Sequence, residues 1–249
     1  MVQTVCLRKI LLPALLLATM FCEAKPKLPC ILVFSKTGGF HHTSIPAGIA
    51  AITKLGIEHG FAVDTTTDSL LFTKSNLKKY KAVLFLSTSG NILDTVGKTA
   101  LAWFIHHGGG YIGIHGASTT LYNWPWYNKL VGATFNKHPD QQDAVLTTTD
   151  TLFIATRGML PTWHWWDEWY NFKDTHWDEV HVLLTVDEST YKGGNLGAYH
   201  PISWYHSFEG GRAFYTALGH TDEAYTNPVF LKHILGGIEY AMGMEGKLK

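Results

Sequence analysis

The strongest structural signal in this chain is the sequence Gly108-Gly109-Gly110-Tyr111-Ile112-Gly113-Ile114-His115-Gly116-Ala117-Ser118. An apolar run ends there at one polar residue, His115, between small residues. This pattern is typical of a parallel strand that presents one side chain at the carboxyl edge of a sheet, where open α/β sheets bind ligands. Many hydrolases carry a Ser or Cys nucleophile at such a strand-to-helix turn. Here an imidazole takes that position, and it can bind a metal, polarise a carbonyl or transfer a proton.

The segments around this strand alternate between strands and helices. Apolar runs predict strands at residues 29–35, 61–64, 81–86 and 110–115. Helical periodicity predicts helices at 44–59 and 95–107, with a short helical start at 70–79. This alternation favours an α/β fold, with a mostly parallel sheet and helices on both faces.

The pattern changes after Trp124. Short strands are predicted at 144–146, 180–184 and 211–218, and a closing helix at 229–242. Between them, the aromatic run from Thr162 to Trp177 is interpreted as a long loop. Because neither a linker nor a repeat interrupts the chain, we predict a single domain from residue 25 to residue 249.

The N-terminus has the pattern of a secretory signal peptide. Arg8 and Lys9 precede an apolar run at 10–21, and Ala24 marks a plausible cleavage point. The apolar run is too short to span a membrane comfortably. We therefore predict a signal peptide at residues 1–24, export to the periplasm or cell surface, and no transmembrane segment after its removal. Lipidation at Cys22 is less favoured because the preceding residues are bulky.

Composition narrows the classes of partner. The formal net charge is zero, so neither a nucleic acid nor an anionic membrane surface has electrostatic support. Nine Trp and fourteen His are more than packing needs. Such residues are common where proteins stack on sugar rings and bind their hydroxyls, although a large aromatic core is the alternative. The sequence leaves the oligomeric state open.

Several segments carry candidate site residues. Gly38-Gly39-Phe40-His41-His42 follows the first strand, where glycine amides can bind an anion or a sugar oxygen, or simply form a tight turn. Asp167 and Glu168 lie among indoles, a setting that raises the pKa of a carboxyl group and suits acid–base work; solvated carboxylates in a packed loop are the alternative. His200 and His220 add imidazoles, but no pair has the HExxH or CxxC spacing of a metal site.

Several motifs together resemble the ThuA-like (trehalose utilisation) family. They occur in order along nearly the whole predicted domain, at residues 36–45, 113–115, 124–133, 167–170 and 200–221. The resemblance implies a flavodoxin-like fold of the class I glutamine amidotransferase-like group. In that group the elbow usually carries Cys, whereas the ThuA-like pattern has His there, which matches His115 and argues against amidotransferase activity. It also implies a role in catabolism of trehalose or related disaccharides, alongside oxidation of a sugar to its 3-keto form.

One segment departs from the family pattern. Members often carry His-Pro ahead of the Leu-Pro that precedes the acidic aromatic segment, but here Phe153-Ile154 stand ahead of Leu160-Pro161. If that His contributes to a site, this chain has lost a contact and changed its substrate or activity.

Two main hypotheses follow. The first is an exported sugar-processing enzyme, a hydrolase, lyase or isomerase, with a divalent metal such as zinc as candidate cofactor and a sugar or disaccharide as substrate. Its predicted catalytic residues are His115, Glu168 and, less favoured, Asp167; its predicted substrate-binding residues are His41, His42, Trp124, Trp126, Trp169, His200, Trp204 and His220. The second hypothesis is a non-catalytic carbohydrate-binding or sensing module on the same scaffold. A purely structural interaction domain fits the histidines near strand ends poorly.

Overall fold

A computed structural model describes residues 1–2 and 28–248 of the chain. The predicted signal peptide lies almost entirely outside these described residues, so its role stays a prediction. Within the described range, no helix combines the length and apolar character needed to cross a membrane.

The described residues form eleven β-strands and five α-helices. The strands are β1 (Cys30–Phe34), β2 (Ala62–Thr66), β3 (Ala82–Leu86), β4 (Gly110–Ile114), β5 (Thr134–Lys137), β6 (Gln142–Thr148), β7 (Thr162–Asp167), β8 (Asn171–Lys173), β9 (His181–Val186), β10 (Pro201–Phe208) and β11 (Gly211–Thr216). The helices are α1 (Ile45–His59), α2 (Lys74–Leu77), α3 (Thr95–His106), α4 (Pro125–Val131) and α5 (Pro228–Met242).

Nine strands form one sheet in the order β2-β1-β3-β4-β11-β10-β9-β6-β7. The first five are mutually parallel, and the remaining four add on in antiparallel fashion. The predicted α/β class and the parallel strands of the N-terminal half are thereby confirmed. Strands β5 and β8 form a separate two-stranded ribbon.

The centre of the parallel half is buried on both faces. Strands β3 and β4 are buried at every position, as expected for apolar runs between two helical layers. Residues of opposite parity on β11 face different helices: Gly211 approaches Ile105 of α3, whereas Phe214 contacts Gly237 of α5. Helices therefore cover both faces of the sheet. This leaves its carboxyl edge open to ligands.

The interpretation of Thr162–Trp177 as a loop is wrong. Residues 162–167 form strand β7, paired along its length with β6, and residues 171–173 form β8. Trp165 and Asp167 are buried while His164 and Trp166 are exposed, which is the two-residue period of a strand. The period is hard to recognise in the sequence because indoles occupy both faces.

The turn after β4 is strained. His115 has a φ of +49°, in the left-handed region that non-glycine residues rarely adopt. A Cβ added to Gly116 would lie 3.0 Å from the carbonyl oxygen of Thr88. A residue without a side chain is therefore needed directly after His115, so that the turn can press against the end of β3.

Candidate metal centre

Four ionisable side chains meet at the carboxyl edge of the sheet. His42 follows β1, His115 follows β4 and His220 follows β11, so three parallel strands deliver one imidazole each. Glu168 comes from the end of β7. One ligand atom from each of the four lies within 4.8 Å of every other.

His115 is held in one tautomer. Its Nδ1 lies 2.6 Å from the carbonyl oxygen of Ala217, which can only accept, so Nδ1 carries the proton. Its Nε2 is left to face Tyr170 Oη at 2.9 Å and His220 Nδ1 at 3.1 Å. A backbone carbonyl that fixes the second nitrogen is the usual arrangement behind a metal-binding histidine.

Glu168 supplies the negative charge of the cluster. Its Oε2 lies 3.4 Å from His115 Nε2 and 3.3 Å from His220 Nδ1. Burial by itself raises the pKa of Glu168, but the two facing imidazoles outweigh burial and bring that pKa below its ordinary value. Burial likewise lowers the pKa of His220, and the Glu168 carboxylate outweighs it, so the net shift is upward. The Glu168 carboxylate therefore stabilises a positive charge on the neighbouring imidazoles.

His42 has an unsatisfied nitrogen. Its Nδ1 is buried and has no hydrogen-bond partner. Burial, followed by the neighbouring His115 and His220, lowers the pKa of His42 to about 3, so the ring is neutral at physiological pH. A buried polar nitrogen without a partner costs free energy unless something binds it.

The donor set fits a divalent metal. Three imidazoles and one carboxylate are ligands that Zn²⁺ and related ions accept. A bound cation would take one ligand atom from each of the four side chains, including His42, whose ring has a buried nitrogen without a partner. It would also neutralise the Glu168 carboxylate, whose Oε2 lies 3.4 Å from His115 Nε2. These two observations make the cluster a candidate metal centre.

Asp167 organises the centre from behind. Its side chain is fully buried, and Oδ1 accepts the amides of Glu168 and His220 at 2.8 and 3.1 Å. Oδ2 accepts the amide of Gly219 and the indole N–H of Trp165, both at 2.9 Å. The carboxylate thus ties two ligand-bearing loops together and has no route to a substrate, so the predicted catalytic role of Asp167 is replaced by a positioning role.

The sheet must curl for this contact to form. Strand β7 is four places away from β11 in the sheet, about 19 Å at the usual spacing of about 4.8 Å in a flat sheet. Asp167, at the end of β7, nevertheless bonds directly to Gly219 beyond β11. The antiparallel half therefore wraps back over the carboxyl edge and closes one side of the centre.

A cavity of about 340 Å³ opens beside the cluster. His42, Glu168 and Tyr170 lie in its wall, and further rings come from Phe40, Tyr122, Phe135 and His138. No Lys or Arg lines it among the described residues. Aromatic walls with a few polar groups suit a small, neutral polar ligand.

Comparison with known families identifies the chain. The family model for ThuA, described as trehalose utilisation, matches residues 30–241. The chain belongs to the ThuA family.

Solved structures with the same fold agree with this assignment. A ThuA-like protein from Bacteroides uniformis ATCC 8492 is 23% identical, with a TM-score of 0.74, covering 88% of this chain and 93% of its own. One from Parabacteroides merdae ATCC 43184 is 17% identical, with a TM-score of 0.70 and coverages of 87% and 91%. A β-galactosidase from Bacillus circulans sp. alkalophilus is 11% identical, with a TM-score of 0.55, and matches 88% of this chain with 31% of its own. A comparison with curated protein sequences gives no match.

The cluster unites four of the predicted site residues of this ThuA-family chain, and the others lie elsewhere. Trp169 and Trp204 are buried in the core, where their indole N–H groups donate to the carbonyls of Gln142 and Val131. Neither has a face open to a sugar, so both expectations of sugar stacking are corrected. Their size and burial make them packing residues.

Trp124 and Trp126 stack on each other, with ring centroids 4.7 Å apart, in a shallow surface depression beside α3. That depression shares no lining residue with the cavity beside the cluster, so these indoles do not wall the centre as expected. His41 is exposed and contacts Thr37, although the neighbouring His42 is buried in the cluster.

His200 lies behind Tyr170 and supports the centre indirectly. It is fully buried, and its Nε2 lies 2.8 Å from the carbonyl oxygen of Tyr170, to which it donates. Burial lowers the pKa of His200. Because the ring does not reach the cavity, the expectation that His200 binds substrate is corrected to a structural role behind Tyr170.

The segment that departs from the family pattern lies away from the cluster. Phe153 stands in the connection between β6 and β7, at the opposite end of these strands from Asp167. Its ring stacks on Tyr205, with centroids 3.8 Å apart. The replacement of His-Pro by Phe153-Ile154 therefore removes no contact from the candidate metal centre.

The sequence did not point to two residues of the centre, His138 and Tyr170. His138 lies 3.1 Å from Glu168 Oε1 through Nδ1, and Tyr170 bonds to His115. His138 directly follows β5, so a polar residue at a strand end was an available signal. The strand itself is too short to recognise from its sequence. Tyr170 belongs to a quoted motif, but nothing in the motif shows that its hydroxyl faces the elbow histidine.

Proposed function

We propose that this chain is a metal-dependent enzyme of sugar catabolism that acts on trehalose or a related glycoside, including 3-keto derivatives. Membership of the ThuA family supports the substrate class. The observation that carries the proposal is the meeting of His42, His115, Glu168 and His220 beside an aromatic cavity. These four residues would hold the metal. When bound, a divalent ion supplies Lewis acidity toward a carbonyl or hydroxyl oxygen of the substrate.

His138 is the group best placed to move a proton. Its Nδ1 faces two acceptors, the carbonyl oxygen of Pro139 at 2.9 Å and Glu168 Oε1 at 3.1 Å, so Nδ1 carries the proton. Its Nε2 is left with a lone pair in a ring that lines the cavity. A carboxylate that orients a histidine for proton abstraction is a recurring catalytic arrangement. His138 thus serves as the base, for example toward a C–H or O–H group beside a sugar carbonyl.

Tyr170 complements this base as a neutral donor. Burial raises the pKa of Tyr170 well above its ordinary value, so the hydroxyl keeps its proton at physiological pH. The hydroxyl lies 2.9 Å from His115 Nε2, and the ring forms part of the cavity wall. Tyr170 therefore offers a neutral hydroxyl beside His115 at the floor of the cavity.

The charge of the cavity restricts the substrate. Phosphate groups are normally recognised by Arg, Lys or helix N-termini, and neither cation lines this cavity in the described part of the chain. The anionic Glu168 further disfavours an anion. The proposed substrate is therefore a neutral sugar, not a sugar phosphate.

The test is a turnover assay on trehalose and 3-keto-trehalose, with and without chelator, followed by mass spectrometry. We expect conversion that stops with chelator and returns with Zn²⁺ or another divalent ion. His138→Ala should keep the metal and lose about 10²-fold or more in kcat, in line with general-base removal, whereas the exposed His181→Ala serves as a control with unchanged kcat.

A chain that converts neither compound, or that converts them equally with chelator present, contradicts the proposal. Binding of unaltered sugar without any product favours the non-catalytic module instead. Export stays part of the proposal and is tested separately, by the N-terminal sequence of the mature protein, which should begin after residue 24.

A further inference from the structure

A second cleft of about 520 Å³ opens along the outer side of the β6–β7 hairpin. Trp166 projects into it with 56% of its surface exposed. Within the described residues, this indole has neither a stacking partner nor a hydrogen bond. An indole that lies in a cleft offers an apolar face and an N–H group together, a combination that is enriched at binding surfaces.

Polar side chains surround this indole. His164 Nδ1 bonds to Asp143 Oδ1 at 2.6 Å, and both residues line the cleft with Trp166. Gln141 and Glu223 add a carboxamide and a second carboxylate. An indole face covers the C–H face of a sugar ring, while carboxylates and amides accept or donate to its hydroxyls. No Lys or Arg lines the cleft in the part of the chain described, so the chemistry matches a neutral sugar and disfavours an anion.

The cleft adjoins the candidate metal centre through three chain segments. Trp166 is two residues before Glu168, Thr221 directly follows His220, and Gln141 is three residues after His138. Two residues of a strand span about 7 Å. The segments that carry the base and two metal ligands therefore also line the second cleft.

We infer that this cleft is a second sugar subsite, which binds the unit beyond the one that lies at the metal centre. The inference rests on the proposed function and sharpens its substrate class: a neutral glycoside with at least two units, stacked on Trp166, and not a monosaccharide. Asp143 and Glu223 contact hydroxyls of that second unit.

Calorimetric titration of the full chain with trehalose and with glucose tests the inference, since binding is read without turnover. We expect trehalose to bind at least about tenfold more tightly than glucose. Trp166→Ala should weaken trehalose binding about tenfold, with glucose binding and metal content unchanged. Asp143→Asn should weaken trehalose binding in the same direction. Trp126→Ala, an indole of the other surface depression, should leave both affinities unchanged.

Equal affinities of the unaltered chain for the two sugars overturn the inference, as does an unchanged trehalose affinity in Trp166→Ala. Tighter binding of trehalose 6-phosphate than of trehalose overturns the assignment to a neutral sugar. Loss of turnover with the subsite preference intact would instead count against the proposed function alone.

Discussion

At the scale of single residues, the candidate metal centre depends on which side-chain atoms carry a proton. Carbonyl acceptors fix a proton on Nδ1 of His115 and of His138, and burial leaves His42 neutral, with an Nδ1 that has no hydrogen-bond partner. The sequence singled out His42 and His115 because they follow strands, His220 as a further imidazole of the C-terminal half, and Glu168 because indoles flank it. It favoured Glu168 over Asp167, but only the fold shows that Asp167 bonds to the loop after β11 while Glu168 lines the cavity.

Asp167→Asn is expected to weaken both the fold and the metal centre. The carboxylate accepts four N–H groups, and an amide nitrogen in place of one oxygen would face two donors. The cost should be about 2–4 kcal/mol of unfolding free energy, with weaker zinc binding because the loops of Glu168 and His220 lose their tie. Chemical denaturation and zinc titration measure the two effects.

The matched control for this substitution is Asp187→Asn. Asp187 is exposed and bonds only locally, to Ser189 in a turn, and the amide of Ser189 can also donate to the oxygen of Asn. It should leave stability and zinc affinity unchanged. If Asp167→Asn binds zinc with the affinity of the unaltered chain, the positioning role of Asp167 is refuted.

At the scale of elements, the parallel half was readable because its strands are continuous apolar runs separated by amphipathic helices. In the antiparallel half, the predicted strands at 144–146 and 180–184 correspond to β6 and β9. Strand β7 was missed because it mixes indoles with charged residues, and β5 of the separate ribbon was missed because it is only four residues long. The curl that brings β7 to the loop after β11 depends on long-range packing, and no local pattern encodes it. The sequence therefore located the turn after β4, which carries His115, but not strand β7, which closes the other side of the centre.

Gly116→Ala should destabilise the turn after β4. Its Cβ would lie 3.0 Å from the Thr88 carbonyl oxygen and 3.1 Å from backbone atoms of Ser87, none of which can move freely. We expect a loss of about 1–3 kcal/mol in unfolding free energy, as for overpacked cores. Gly38→Ala is the control, because its Cβ would have no contact shorter than 3.4 Å. If the two variants are equally stable, the turn after β4 has more space around Gly116 than the structure shows.

At the scale of the whole molecule, buried neutral histidines couple stability to pH. His233 lies in the core, with Nδ1 2.9 Å from the Ala155 carbonyl oxygen and Nε2 2.9 Å from Ser203 Oγ. Burial lowers the pKa of His233 from 6.5 to about 4. The unfolded chain therefore binds a proton more readily than the folded chain between these two values.

Stability should accordingly fall as the pH drops below 6.5, by up to about 1.4 kcal/mol per pH unit from His233 alone, until about pH 4. Above pH 6.5 this contribution is fully present. Denaturation of His233→Gln over the same range should give a flatter pH dependence than the unaltered chain. His181→Gln, at an exposed position on β9, should keep the original slope. A His233→Gln curve parallel to that of the unaltered chain would contradict the assignment.

The central claim is that the carboxyl edge of this sheet holds a metal ion. Crystals grown from zinc-loaded protein and measured on both sides of the zinc absorption edge test it most directly. We predict one strong anomalous peak among His42, His115, Glu168 and His220, with nitrogen ligands at about 2.0–2.1 Å. A map without a peak at this position, or with zinc held only by surface histidines elsewhere, would contradict the claim.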